Sequence, residues 1–123
     1  MKEIVAYVIG EDLQKVTNIL RKHNTGGMVF YEVSGRGRGK YDEVPEMVRT
    51  YMTGRKVVPE YAKRTKVETF VTDSAAKEIV EEIISTIGSE SEPRGMVFVR
   101  EVSSAYEIGT KQSGDGVLSP RPS

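Results

Sequence analysis

The residues best suited to chemistry are Gly35-Arg36-Gly37-Arg38-Gly39-Lys40, a run in which glycine alternates with cations. Glycine lets backbone amides approach an anion closely, and guanidinium groups fork onto phosphate or carboxylate oxygens, so the run suits an anionic ligand such as a nucleotide or phosphate. It does not meet the P-loop spacing, because Ser34 stands where the first glycine belongs and Tyr41 follows the lysine. The third glycine of the dinucleotide fingerprint is also missing. A solvated hinge would have the same composition. So would an RNA contact, although the chain lacks the aromatic stacking platform of single-strand binders.

Other chemistry is scarce. The chain has no cysteine, which excludes thiolate catalysis, disulfides and Cys-based zinc sites, and its one histidine, His23, rules out a multi-histidine metal site within one chain. His23 falls in a helix-ending turn, where a cation favours the helix C-terminus. The carboxylates cluster at Glu78, Glu81 and Glu82 on a solvated helix face, or at Glu90 and Glu92 in a turn, without the pairing that acid–base catalysis needs. No enzyme is expected.

The cationic run opens a long stretch, 35–66, that follows one strand-like segment and precedes another but sustains no period of 2 or 3.6 residues. Irregular connections beyond about 15 residues are uncommon in a compact domain unless they function or are disordered. Over 36–66, nine Lys and Arg face four Asp and Glu, a net of +5 that the rest of this neutral chain offsets. Tyr41, Tyr51 and Tyr61 alternate with Arg36, Arg38, Lys40, Arg49, Arg55 and Lys56. That mixture suits a protein contact, with Lys40, Tyr41, Tyr51, Arg55 and Lys56 as its candidate residues.

The surrounding elements must hold this stretch out. Ile4–Ile9 is a short apolar, β-branched run that predicts a buried strand, closed by Gly10. Asp12 is placed to cap a helix whose Leu13, Val16 and Leu20 form one stripe, ended by Asn24-Thr25-Gly26-Gly27. Met28–Val33 predicts a second strand. Beyond the long stretch the order returns: a strand over Val67–Val71, then Asp73 or Ser74 as the cap of a helix with Ile79, Val80, Ile83, Ile84 and Ile87 on its apolar side. A turn over 88–95 leads to a strand over 96–99. Gly-Met-Val-Phe occurs twice, at 27–30 and 95–98, each time after a helix-ending turn. An internal βαβ duplication follows, and with it an α+β, ferredoxin-like β-α-β-β-α-β sandwich whose antiparallel sheet carries both helices on one face. The other face would expose Ile4, Ala6 and Val8 or, in the alternate register, Val5, Tyr7 and Ile9. Such a surface predicts a homo-oligomer in which sheets pack together in a closed ring.

At 123 residues the chain makes one domain. The segment 113–123, with two prolines and turn formers, is expected to be a flexible tail. No apolar run is long enough to span a bilayer and the first residues do not read as a signal peptide, so a cytoplasmic location is expected, with neither nucleic acid nor membrane as partner.

Glu32-Val33-Ser34-Gly35-Arg36-Gly37-Arg38 entering the long loop, the return at Arg64-Thr65-Lys66-Val67-Glu68, and Phe98-Val99 after the second helix resemble the PII signal-transduction family over about residues 1–112. The resemblance implies a homotrimer whose protruding T-loops, here about 37–63, engage an ammonium transporter or a nitrogen-assimilation enzyme. It also implies ATP or ADP in the clefts between subunits, with 2-oxoglutarate at the loop base. By motif, Gly35, Arg36, Gly37 and Arg38 match the nucleotide side of the loop, Phe70 the adenine pocket, and Arg64 a lysine that meets the 2-oxoglutarate carboxylate. Arg94 and Gly95 fall in the phosphate-binding turn. Several family positions are changed: Gly39 replaces a glutamine, Met96 a lysine, Glu107 and Gly109 two phosphate-binding arginines, and Val57 the modified tyrosine. Each charge-assisted bond to phosphate contributes roughly 1.5–3 kcal/mol, so losing three cations predicts weak or absent ATP binding. The alternative is a PII-like sensor of another small anion or nucleotide, such as bicarbonate, a carboxylate, AMP or ADP.

Overall fold

A computed structural model describes residues 1–37, 61–88 and 94–121. Its elements are β1 (Lys2–Val8), a 3-10 turn (Gly10–Asp12), α1 (Leu13–Lys22), β2 (Met28–Gly35), β3 (Ala62–Val71), α2 (Asp73–Ile87), β4 (Gly95–Glu101) and a second 3-10 turn (Asp115–Leu118). The four strands form one antiparallel sheet in the order β2-β3-β1-β4. The α+β class and the β-α-β-β-α-β order therefore match the expectation.

The pleat divides the chain's apolar residues between two faces. Ile4, Ala6 and Val8 of β1 and Val67 and Val71 of β3 point into one core with Val16, Ile19 and Leu20 of α1 and Ala76, Ile79, Ile83 and Ile87 of α2. Thr69 joins them on β3, satisfying its buried hydroxyl by donating 2.6 Å to the Gly27 carbonyl. Of the two registers open to β1, the one that leaves Val5 and Tyr7 on the helix-free face is adopted.

Ile84 departs from its predicted place in the apolar stripe and is 59% exposed, because the buried row runs through positions 76, 79, 83 and 87. The cap of α2 is Thr72 rather than Asp73 or Ser74: its hydroxyl accepts from the Ala75 amide at 3.3 Å. Asp73 opens the helix instead and pairs with the Met1 ammonium at 2.9 Å, which holds its carboxyl below the usual range. α1 ends as expected, with Asn24 in the left-handed conformation (φ 60°) and the Thr25 hydroxyl donating to the Leu20 carbonyl at 2.8 Å.

Two boundaries differ from expectation. β3 starts at Ala62, not Val67, and β2 runs on to Gly35: Ala62–Lys66 pair residue by residue with Gly35–Tyr31, so a charged segment without periodicity extends the ribbon. Over 62–64 the hydrogen-bond ladder decides, and the buried row of β3 begins at Thr65. At the other terminus, the C-terminal segment packs where little packing was expected. Leu118 is buried and its carbonyl accepts the Gly26 amide at 2.7 Å, an approach that only a residue without Cβ permits, since a Cβ at Gly26 would lie 2.8 Å from that oxygen.

Candidate functional site

The register gathers most of the described candidate residues at one end of the sheet. Val33 pairs with Arg64, Gly35 with Ala62, and Val8 lies between Thr65 and Gly95. Gly35, Arg36, Arg64, Arg94 and Gly95 therefore share the end at which the chain leaves β2 and returns through β3. Arg64 and Gly95 sit two strands apart, about 10 Å across the sheet. Arg36 is exposed just beyond β2, and Arg64 donates to the Lys63 carbonyl at 2.8 Å. Gly95 has φ +147°, and a Cβ there would lie 1.9 Å from the Tyr7 carbonyl oxygen, so glycine is required for β4 to start against β1.

Phe70 is not brought to this end within one chain. It pairs with Glu3 at the opposite end of β3, six residues or about 20 Å from Arg64, and is half-exposed on the helix-free face. Arg38, Lys40, Tyr41, Tyr51, Arg55 and Lys56 lie outside the described residues, as do Gly39 and Val57. Tyr61, immediately before β3, is exposed.

Arg94 does not project alone. Its Nη2 donates to Asp12 Oδ2 at 3.0 Å and Oδ1 at 3.3 Å, and to Glu11 Oε1 at 3.2 Å, and these carboxylates raise its pKa. Asp12, expected to cap α1, makes no side-chain cap; it is fully buried and turns its carboxylate to Arg94. The sequence offered no signal for this pair, whose members are 82 positions apart.

The helix-free face carries Val29, Tyr31, Phe70, Met96 and Phe98, each 44–56% exposed. Tyr7 meets Phe98 edge-on at 6.1 Å. Among them Lys66 Nζ lies 5.6 Å from the ring centroids of both Tyr7 and Tyr31 and 3.1 Å from Glu68, which also accepts the Tyr31 hydroxyl at 2.7 Å. Tyr31 first and Glu68 second hold the Lys66 ammonium charged, while Tyr31 and then Lys66 lower the Glu68 carboxyl. Arg100 donates through Nε to Glu3 at 2.9 Å on the same face. This polar row, which composition could not reveal, pairs Lys66 with Glu68 and Arg100 with Glu3, which lowers the cost of burying those charges.

Glu107 and Gly109 stand in the C-terminal excursion. Glu107 accepts from the Thr110 hydroxyl at 2.6 Å and from Arg121 at 3.2 Å, beside a polar hollow of about 380 Å³. His23 links α1 to α2 through Glu82 at 2.5 Å. Among the described residues no cluster of ligating side chains could hold a metal, and no helix is long and apolar enough to cross a membrane.

The chain is a small antiparallel α+β sandwich that collects glycines and arginines at the end where a long inserted segment departs. The Nitrogen regulatory protein P-II family model matches residues 1–112, and the chain belongs to that family of signal-transduction regulators. It is 33% identical over 114 residues to Nitrogen regulatory protein P-II 2 of Methanothermobacter thermautotrophicus, covering 93% of this chain and 94% of that protein. It is 28% identical to Nitrogen regulatory protein P-II of Cereibacter sphaeroides and 26% identical to that of Rhodobacter capsulatus, each over 118 residues, covering 96% of this chain and all of the relative.

Proposed function

We propose that the chain is a homotrimeric PII-type regulator that controls a partner, an ammonium transporter or a nitrogen-metabolism enzyme, through its 37–63 loop in response to a small effector bound at the loop base. The observation that carries this reading is the register that puts Gly35, Arg36, Arg64, Arg94 and Gly95 at the end where the loop departs. An anion held there biases the loop between conformations to the extent that it binds one better than the other. Trimer formation is supported by the helix-free face, whose apolar residues and internally paired charges can be buried against other copies.

The described residues do not form a strong cradle for a triphosphate. Arg94 already faces two carboxylates, and Met96, in place of a lysine, pairs with Tyr7 on the helix-free face. These features favour the second reading of the same end, a sensor of another small anion or nucleotide such as bicarbonate, a carboxylate, AMP or ADP, with ATP and 2-oxoglutarate bound weakly. Calorimetry with ATP, ADP, AMP, 2-oxoglutarate and bicarbonate separates the two, and micromolar ATP binding excludes the second. The regulatory reading is tested by capture of partners from native cytosol. An Arg55→Glu/Lys56→Glu variant is expected to lose them; retention of every partner contradicts the loop as the contact.

A further inference from the structure

Asp12 is the only charged residue among the described ones to be fully buried. Its backbone amide is used by the Ile9 carbonyl at 2.8 Å, and its carboxylate takes Arg94 at 3.0 Å and Lys15 at 3.5 Å. Arg94 is fixed from both sides. The next residue, Gly95, is locked into the β1–β4 ladder opposite Val8, and the guanidinium is drawn towards Asp12 and the exposed Glu11. Removing one partner of a buried ion pair leaves the other uncompensated, so Asp12 constrains Arg94 far more than a solvated carboxylate could. A ligand oxygen reaching Arg94 would have to share it with two negative groups, and the buried one is poorly screened by solvent.

We propose that Asp12 is a specificity-determining residue: an internal counter-anion that occupies Arg94 in place of a ligand's phosphate and thereby makes the loop-base end discriminate against polyphosphates. This rests on the reading of that end as the effector site. The chemistry is competition between carboxylate and phosphate for one guanidinium, with no bond made or broken. Neutralising Asp12 takes the Arg94, Lys15, Asp12 and Glu11 cluster from neutral to a net +1 and keeps a similar side-chain volume beside Arg94.

The test is calorimetric titration of the full chain with inorganic tripolyphosphate and with ATP. Asp12→Asn is expected to bind tripolyphosphate at least tenfold more tightly than wild type, and adding Arg94→Gln is expected to cancel the gain. Unchanged affinity in a folded Asp12→Asn protein, no measurable binding to it, or a gain that survives loss of Arg94 overturns the proposal. Should Asp12→Asn fail to fold, the surface variant Glu11→Gln decides: a roughly threefold gain dependent on Arg94 supports competition, and an unchanged affinity overturns it. These outcomes are read on the purified protein, whereas the regulatory reading stands or falls on partner capture, so either can fail without the other.

Discussion

Gly-Met-Val-Phe at 27–30 and Gly-Met-Val-Phe at 95–98 are identical in composition and both follow a helix, yet they serve opposite faces of the sheet. Met28 pairs with Thr69 and packs on the core, whereas Met96 pairs with Tyr7 and stands 49% exposed on the helix-free side. The difference is one residue of register: Gly27 precedes β2, while Gly95 is itself the first residue of β4, opposite Val8. A shift of one position exchanges every side chain between faces. The two copies thus place one methionine on the covered, core-forming face and the other on the face that no helix covers.

The contrast can be broken most forcefully from the covered side. Ile79 has no solvent exposure, and Ile79→Ala is expected to lower unfolding free energy by about 4 kcal/mol in urea titration. A loss under about 1 kcal/mol would show that the core lies elsewhere.

The repeated methionines sharpen the comparison directly. Met28→Ala should reduce stability by about 2 kcal/mol, whereas Met96→Glu should leave the subunit folded and shift sedimentation towards single chains. Equal destabilisation without a change in assembly would erase the distinction between the faces.

A smaller effect is expected where the C-terminal segment docks. Gly26→Ala places a Cβ 2.8 Å from the Leu118 carbonyl and should cost about 1–2 kcal/mol, with faster hydrogen exchange at position 26. Unchanged exchange there would count against the docking contact.

The smallest effects are electrostatic. Asp73 is lowered by the Met1 ammonium, Glu82 by Lys22 and then His23, and Glu68 by Tyr31 and then Lys66. Carboxyls depressed on folding contribute stability that is fully present above their ordinary values, 3.8 for Asp and 4.5 for Glu, and lost as pH falls through the lower folded values. The denaturation midpoint should therefore be flat above about pH 5 and decline below it, less steeply in Glu82→Gln. A midpoint that rises towards pH 3 would contradict these pairings.

Much of the architecture was legible in the chain. The β-branched run of β1 and the isoleucine row of α2 carry their periods openly, and the repeated element order supplied the sandwich. The ends of β2 and β3 were not legible, because Ala62–Arg64 is held by backbone pairing to β2 rather than by a buried stripe. At the site, the glycine–arginine composition pointed to an anion, but the engagement of Arg94 depends on Asp12, which adjacent residues advertised only as a helix cap. Phe70, assigned by resemblance to a pocket between subunits, lies at the far end of its strand from Arg64 within one chain.

The most direct test of the central claim, that the helix-free face is buried between copies so that each loop base meets a neighbour, is native mass spectrometry of the wild-type chain. The wild-type chain is expected to give a particle of about three times its 13.7 kDa mass. A lone 13.7 kDa subunit at micromolar concentration would contradict it.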